Sequence, residues 1–327
     1  MSKAPYDGLT PDCILDALDS VGQRGDGRLI ALNSYENRVY QIYLESGEVV
    51  VAKFYRPQRW SDEQILEEHA FALELTAEEV PVVAPMLIGQ HSLFEHAGFR
   101  FALFKRMGGR APELDAPEVL SRIGGFLGRI HAVGARTVFK HRPRLDIAGF
   151  GVASRDYLLA SDLIPIDLRP AWSAAADAVL VAIKGAFDEL GALTLLRIHG
   201  DCHIGNILWS ETGAHLVDLD DCVTGPAIQD FWMLLSGDAQ AMALQLDELL
   251  EGYEQFARFD ARELRLLEAL RGLRLLHYSA WLARRWQDPA FLLAFPWFNT
   301  QRYWQDRILE LREQIGALSE PSLRLFR

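Results

Sequence analysis

Arg197-Ile198-His199-Gly200-Asp201-Cys202-His203-Ile204-Gly205-Asn206-Ile207-Leu208-Trp209 is the stretch on which the reading turns, together with Leu216-Val217-Asp218-Leu219-Asp220-Asp221. Asn206 follows Asp201 by five positions, and an apolar run then leads through a polar turn to Asp218. Residues 206–209 and 214–219 read as short strands around Ser210, Glu211, Thr212 and Gly213, whose types favour turns, so the segment reads as a hairpin. Residues equally far from an antiparallel turn face each other. Centred near Thr212, the pairing predicts Asn206 opposite Asp218, with Asp201 on the loop at the same end.

An amide oxygen and a carboxylate are hard donors that suit Mg²⁺, which keeps some waters and takes other ligands from substrate phosphates. A separate carboxylate can orient a hydroxyl and accept its proton. A lone Asp or Asn in such a place is more often a turn or helix cap. The ordered set points instead to phosphoryl transfer, with Asp201 and Asp218 catalytic and Asn206 and Asp218 holding metal.

The same residues carry a family resemblance. His199-Gly200-Asp201 with Asn206, then Val217-Asp218-Leu219-Asp220, resembles the catalytic loop and metal motif of the kinase superfamily in its aminoglycoside phosphotransferase and choline kinase branch. Residues 199–206 match that branch's His-Gly-Asp-x-His-x-x-Asn pattern at every fixed position.

Composition agrees with an ordinary globular protein: 327 residues are enough for one large domain or two lobes with sizeable cores, and 50% hydrophobic with 24% charged residues argues against disorder. The start has no signal-peptide pattern and no run approaches a transmembrane span, so the expectation is a soluble, cytoplasmic protein without a membrane partner. Cys13, Cys202 and Cys222 lack the spacing of a disulfide framework or a zinc site. Cys202 and His203 invite a nucleophile or metal reading, but loop packing and hydrogen bonding are the plainer account. A net charge of −12 argues against a nucleic-acid surface and leaves ATP open, since a nucleotide needs only local positive charge and a cation.

From the beginning, 12–21 reads as a short helix. The glycines between 22 and 27 follow no strand and match no P-loop, so loop composition explains them. Strands are expected over 28–32, 38–44 and 49–55. The polar turn Asn33-Ser34-Tyr35-Glu36-Asn37 stands where a kinase has its glycine-rich loop, with Ser34 the candidate phosphate contact. Val49-Val50-Val51-Ala52-Lys53-Phe54 resembles the kinase third strand, and implies that Lys53 faces the α- and β-phosphates. A buried ammonium needs a partner. The next helix, over 62–76 with Ser61 as N-cap and Gln64 completing the cap, offers Glu68, with Glu67 the alternate.

Further strands are expected over 87–94 and 99–104, then a hinge near residue 107, dividing a nucleotide-binding lobe (1–107) from a catalytic and substrate lobe (108–327). Beyond it the pattern is helical: 117–133, with His131 structural, then 165–190, interrupted near Pro170. Gly225-Pro226 followed by Asp230 resembles the branch's Gly-x-Pro-x-x-Asp element and implies that Asp230 begins a helix and holds the catalytic loop. In 261–287, a membrane or nucleic-acid helix is outweighed by leucines 264, 267, 270, 273 and 276 burying against the lobe. Tryptophans 281, 286, 297 and 304 read as core, some bordering an acceptor pocket.

The fold class expected is therefore α+β: a bilobal protein-kinase-like fold with an N-terminal antiparallel sheet, one main helix and a mainly helical C-terminal lobe. Nearly the whole chain, through Leu32-Asn33-Ser34-Tyr35-Glu36-Asn37-Arg38-Val39-Tyr40 and Gln64-Ile65-Leu66-Glu67-Glu68-His69, resembles the bacterial stress response kinase A family. That resemblance implies a cytoplasmic protein kinase acting on serine and threonine and linked to survival under stress. The site chemistry above adds ATP and Mg²⁺, and the partners expected are protein substrates, itself included, for a chain expected to be a monomer. Only seven residues separate Asp218 from Pro226, too few for a long activation segment. An exposed acidic cleft with Asp220 and Asp221 would suit a small cationic alcohol or aminoglycoside instead. A nucleotide-binding pseudokinase is disfavoured because Lys53, Asp201, Asn206 and Asp218 are all present.

Overall fold

Alternation in Val49–Phe54 sends Val50, Ala52 and Phe54 to one face of a strand and Lys53 to the other. In the computed structural model, which describes residues 4–116, 118–211 and 213–326, that strand is third in a five-stranded antiparallel sheet. Pro117 and Thr212, expected to start a helix and to centre the hairpin, lie outside the described residues, as do residues 1–3.

In chain order the elements are α1 (Pro11–Asp19), β1 (Gly25–Ala31), β2 (Arg38–Leu44), β3 (Val49–Phe54), α2 (Asp62–Ala77), β4 (Phe94–His96) and β5 (Phe99–Lys105). There follow α3 (Val119–Gly134), a π-helical turn at Ile147–Val152, α4 (Ala153–Ala160), α5 (Arg169–Leu190), β6 (Leu196–Ile198), β7 (Ile207–Ser210) and β8 (Gly213–Leu216). The last are β9 (Val223–Gly225), α6 (Gln229–Trp232), α7 (Ala239–Tyr253), α8 (Leu267–Arg285), α9 (Pro289–Ala294) and α10 (Gln301–Ser319). The chain divides into two units, one of Met1–Pro112, Lys140–Arg142 and Ile204–Asp221, the other of Glu113–Phe139, Pro143–His203 and Cys222–Arg327.

In the first unit the sheet order is β1-β2-β3-β5-β4. Ile14, Ala17 and Leu18 of α1 share a core with Val50, Ala52, Phe54, Phe99, Phe101 and Leu103 on one face. On the opposite face Tyr55 and Ala102 pack with Ile65 of α2, and Lys53 pairs in register with Ala102, so Lys53 points to the α2 side. Helix α2 starts where expected because Ser61 and Gln64 form a reciprocal cap, with Ser61 N–H donating to Gln64 Oε1 at 2.9 Å and Gln64 N–H to Ser61 Oγ at 3.3 Å. The strand expected over 87–94 is not formed. Gly89 adopts φ +64° and Ile88 bridges back to His91, a tight reversal that interrupts the apolar run, and pairing resumes only at β4.

In the second unit α3 lies on α7 through glycines: a Cβ on Gly124 would meet the Leu249 carbonyl, and one on Gly252 would meet the Ser121 carbonyl. Backbone approaches backbone there, which only glycine allows. The interruption expected at Pro170 does not occur. Arg169 starts α5 and Pro170 falls in its first turn, where a missing N–H costs nothing. Leucines 264, 267, 270, 273 and 276 are all buried, so the periodic leucines of that region do face a core. Among the described residues no helix is long and apolar enough to cross a membrane.

Candidate active site

In the first unit Lys53 is buried, and its ammonium meets three carboxylates: Asp220 at 3.0 Å, Asp218 at 3.1 Å and Glu68 at 3.7 Å. Burial works against the charged amine, but Asp220, Glu68 and Asp218 outweigh it and push its pKa well above the ordinary value. Burial raises the Glu68 carboxyl to about 7, against the opposing pull of Lys53. Asp218 differs from its neighbours: its side chain is 55% exposed and its backbone sits at φ +62°, the left-handed region.

Of the two adjacent glutamates Glu67 and Glu68 on α2, Glu68 faces the lysine and Glu67 has a separate job. Glu67 accepts backbone N–H groups from Lys140, His141 and Arg142 at 2.6, 2.8 and 2.7 Å. Adjacent helix positions point about 100° apart, so one could not serve both ends.

Asp220 is the residue whose part the sequence did not disclose. It is 3% exposed, accepts from Asn37 Nδ2 at 3.2 Å, and pairs with Arg59, which also reaches Asp221. Burial opposes its charge, but Arg59, Lys53 and Arg142 hold the carboxyl well below the usual range. Asn37 Oδ1 in turn accepts from Arg56 N–H at 3.1 Å, and Glu36 pairs with Arg56 at 3.5 Å. The turn between β1 and β2 that carries Ser34 is thereby tied to the Asp218–Asp221 segment. The exposed acidic cleft expected of Asp220 and Asp221 is not found, since Asp220 is buried and both are paired with arginine. A sequence signal existed in two aspartates beside an otherwise apolar run and two arginines directly after β3, but nothing local joins them.

The β7–β8 hairpin pairs Ile207 with Leu216 and Ser210 with Gly213. In step with that register, Asn206 O accepts from Val217 N–H at 3.0 Å. Asn206 therefore stands opposite Val217, and Asp218 follows one position beyond the expected pairing. Asp218 and Asn206 together offer one carboxylate and one amide oxygen, and among the described residues no three His, Cys, Asp or Glu side chains cluster as a metal nest. That donor set fits an ion that draws its remaining ligands from phosphate and water, as Mg²⁺ does.

In the second unit the loop after β6 is held from behind by Asp230. Its two oxygens accept the backbone N–H groups of His199 and Gly200, each at 2.8 Å, while His131 Nε2 lies 3.0 Å from Oδ2. Burial opposes the charge, but His131, His199 and the Gly200 N–H keep Asp230 ionised below the ordinary carboxylate range. His131 also meets Tyr253 Oη at 3.1 Å, the satisfied structural histidine the sequence predicted. Gln229 adds a hydrogen bond to Gly200 O at 2.9 Å, and Glu263 accepts Ile228 N–H at 2.9 Å, fixing the start of α6. Asp201, carried on this loop, contacts Arg274 of α8 at 2.9 Å and His203 at 3.5 Å. Cys202 is fully buried and burial pushes its thiol well above the ordinary range, which fits a packing role rather than a nucleophile.

Residues 28–267 match the model of the "Phosphotransferase enzyme family". The sequence is 46% identical to Stress response kinase A of Escherichia coli O157:H7 over 99% of this chain and 98% of that protein. It is 44% identical to the "Serine/threonine protein kinase RdoA" of Salmonella typhimurium strain LT2, over 98% of this chain and 97% of that protein. Among solved structures, amicoumacin kinase hAmiN in complex with AMP-PNP, Ca²⁺ and Ami shares the fold with TM-score 0.69 and 19% identity, over 90% of this chain and 89% of that one. On its sequence and its α+β kinase-like fold, the chain belongs to the phosphotransferase enzyme family and, within it, to the stress response kinase A group, and it is a kinase.

Proposed function

We propose that this kinase transfers the γ-phosphoryl of ATP to the hydroxyl of a serine or threonine on a protein. The observation that carries the reading is the buried Lys53 ammonium, 3.1 Å from the exposed Asp218 and backed by Glu68 and Asp220. A lysine fixed this way has its charge guaranteed and its direction set, which is what phosphate positioning needs. The relative named a serine/threonine protein kinase supports the acceptor.

In this reading Lys53, held by Glu68, binds the α- and β-phosphates, and Ser34 on the β1–β2 turn contacts phosphate oxygens. Asn206 and Asp218 would hold Mg²⁺, which when bound neutralises developing charge on the phosphates. Asp201 accepts a hydrogen bond from the acceptor hydroxyl, orients it and takes its proton as the oxygen attacks. The first unit is then the nucleotide-binding lobe and the second supplies the base and the acceptor surface. The protein works in the cytoplasm as a monomer and phosphorylates other proteins and itself.

A second reading is a small-molecule kinase, favoured by the name of the amicoumacin kinase that shares the fold. A third, a pseudokinase scaffold, predicts nucleotide binding without transfer. Incubating the purified protein with γ-labelled ATP and Mg²⁺, alone and with cell lysate, separates them. Label on protein that disappears with Asp201→Asn supports the first, and label only on low-mass material supports the second. A parental rate in Asp201→Asn would remove the base role, where a loss on the order of 10²-fold or more is expected.

A further inference from the structure

The surroundings of Asp201 within the second unit bear on what kind of acceptor it serves. Arg274 Nη1 lies 2.9 Å from Asp201 Oδ1, with side chains 41% and 24% exposed, so the pair faces solvent. One turn back on α8, Arg271 pairs with Glu268 at 2.8 Å. Both guanidinium groups flank the same indole, Arg271 at 5.7 Å and Arg274 at 6.0 Å from the Trp232 ring. The same helix continues the pattern: Tyr278 stacks on Trp281 at 5.7 Å, and Arg285 lies over Trp281 at 5.0 Å. Residues 271, 274, 278, 281 and 285 follow 3- and 4-residue steps, so they form one partly exposed stripe about 21 Å long.

The charge balance of this stripe is decisive. Two carboxylates beside it, Asp201 and Glu268, are each already matched by an arginine, Arg274 and Arg271. A cationic amino alcohol would have to displace a guanidinium to reach either carboxylate, at the cost of like-charge repulsion. A negatively charged group meets the opposite situation. Each guanidinium carries five N–H donors, more than one carboxylate contact consumes, and the forked geometry suits a second carboxylate. The aromatic rings between the arginines give an extended peptide apolar area at small entropic cost.

We propose that the hydroxyl served by Asp201 belongs to a Ser or Thr in an acidic protein segment, flanked by Asp or Glu, and that Arg274, with Arg271, reads that negative charge. Arg274 is then a specificity-determining residue. As the acceptor's carboxylate takes up Arg274 donors, Asp201 gains freedom to turn to the hydroxyl. This deepens the protein-kinase reading and rests on Asp201 as its base.

The test uses the full chain, labelled ATP with Mg²⁺, and two serine peptides identical except for three flanking Glu or three flanking Lys. Ethanolamine and kanamycin serve as cationic small-molecule probes. The wild type should phosphorylate the acidic peptide with kcat/KM about 10-fold or more above the basic one, a preference that shrinks with added salt. Arg274→Gln should bring the ratio to near unity, and Arg274→Lys should restore part of it, a rescue that a purely structural role would not show. If Arg274→Gln does not fold, Arg271→Gln, which leaves the Asp201 contact in place, should still reduce the ratio. Equal use of both peptides, preference for the basic one, or an unchanged ratio in these variants overturns the acidic-acceptor proposal alone. Label only on ethanolamine or kanamycin, or on no acceptor, overturns the protein-kinase reading with it.

Discussion

Lys53 Nζ lies 3.0 Å from Asp220 Oδ1, nearer than its 3.7 Å separation from Glu68 Oε1. The lysine's strongest fixed counter-charge therefore comes from the segment after the hairpin rather than from α2. Because Asp220 also pairs with Arg59 and Asn37, one buried carboxylate joins the third strand, the β1–β2 turn and the Asp218 segment.

Asp220→Asn leaves two buried cations with a missing charge. Removing one member of such a group costs about 3–5 kcal/mol, so the urea midpoint should fall steeply with little change in slope. A loss below about 1 kcal/mol would show that water reaches the cluster and screens it.

Glu67→Gln and Glu68→Gln should separate cleanly although the residues are adjacent. Glu67→Gln weakens three backbone acceptor bonds and should lower stability by about 1–3 kcal/mol while largely sparing catalysis. Glu68→Gln removes a counter-charge from Lys53 and should lower kcat/KM for ATP by roughly 10-fold or more. Steady-state kinetics beside thermal melts would expose the reverse pattern if the assignments were exchanged.

Asp230→Ala should release the loop that carries Asp201. The His199 and Gly200 amides lose their acceptors, so their hydrogen exchange should accelerate, with a fall in kcat larger than any rise in KM. Unchanged protection of these two amides would argue that the loop is fixed by other contacts.

Glu263 gives a pH signature. Burial raises its carboxyl to about 7 against an ordinary 4.5, so the folded state holds a proton that the unfolded state has lost between those values. Its stabilising contribution is fully present below about pH 4.5 and is lost as pH rises through about 7, on the order of 3 kcal/mol at most. Glu263→Gln stays neutral and should flatten that decline in denaturant titrations. An equal slope in both proteins would place the titration elsewhere.

Gly124→Ala and Gly252→Ala should each destabilise by about 1–3 kcal/mol or more, because the added Cβ meets a backbone carbonyl that cannot move without shifting a helix. A neutral melt for either would mean that α3 and α7 separate readily.

Much of this was legible in short windows of sequence. The Ser61 and Gln64 cap, the burial of leucines 264 to 276, the structural histidine and the Asp230 contact with the loop all rest on chemistry a few residues wide or on a resemblance of local motif. The misreadings were also local. The hairpin pairing was centred near Thr212, whereas the observed pairs Ile207–Leu216 and Ser210–Gly213 put Asn206 opposite Val217, one residue short of Asp218. The expected strand over 87–94 gave way to a reversal at Gly89.

By itself, the sequence determined an antiparallel sheet followed by a mainly helical region, because strand alternation, helix periodicity and capping are properties of neighbours along the chain, and the motif from His199 to Asn206 carried the kinase-like resemblance. Only the tertiary structure decided that Glu68 rather than Glu67 meets Lys53, that Asp220 is a buried counter-charge instead of part of an open acidic cleft, and that Arg274 sits on Asp201. Those pairings join residues 15 to 167 positions apart in number. Electrostatic energy depends on distance and burial in space, and neither quantity is written in the order of the residues.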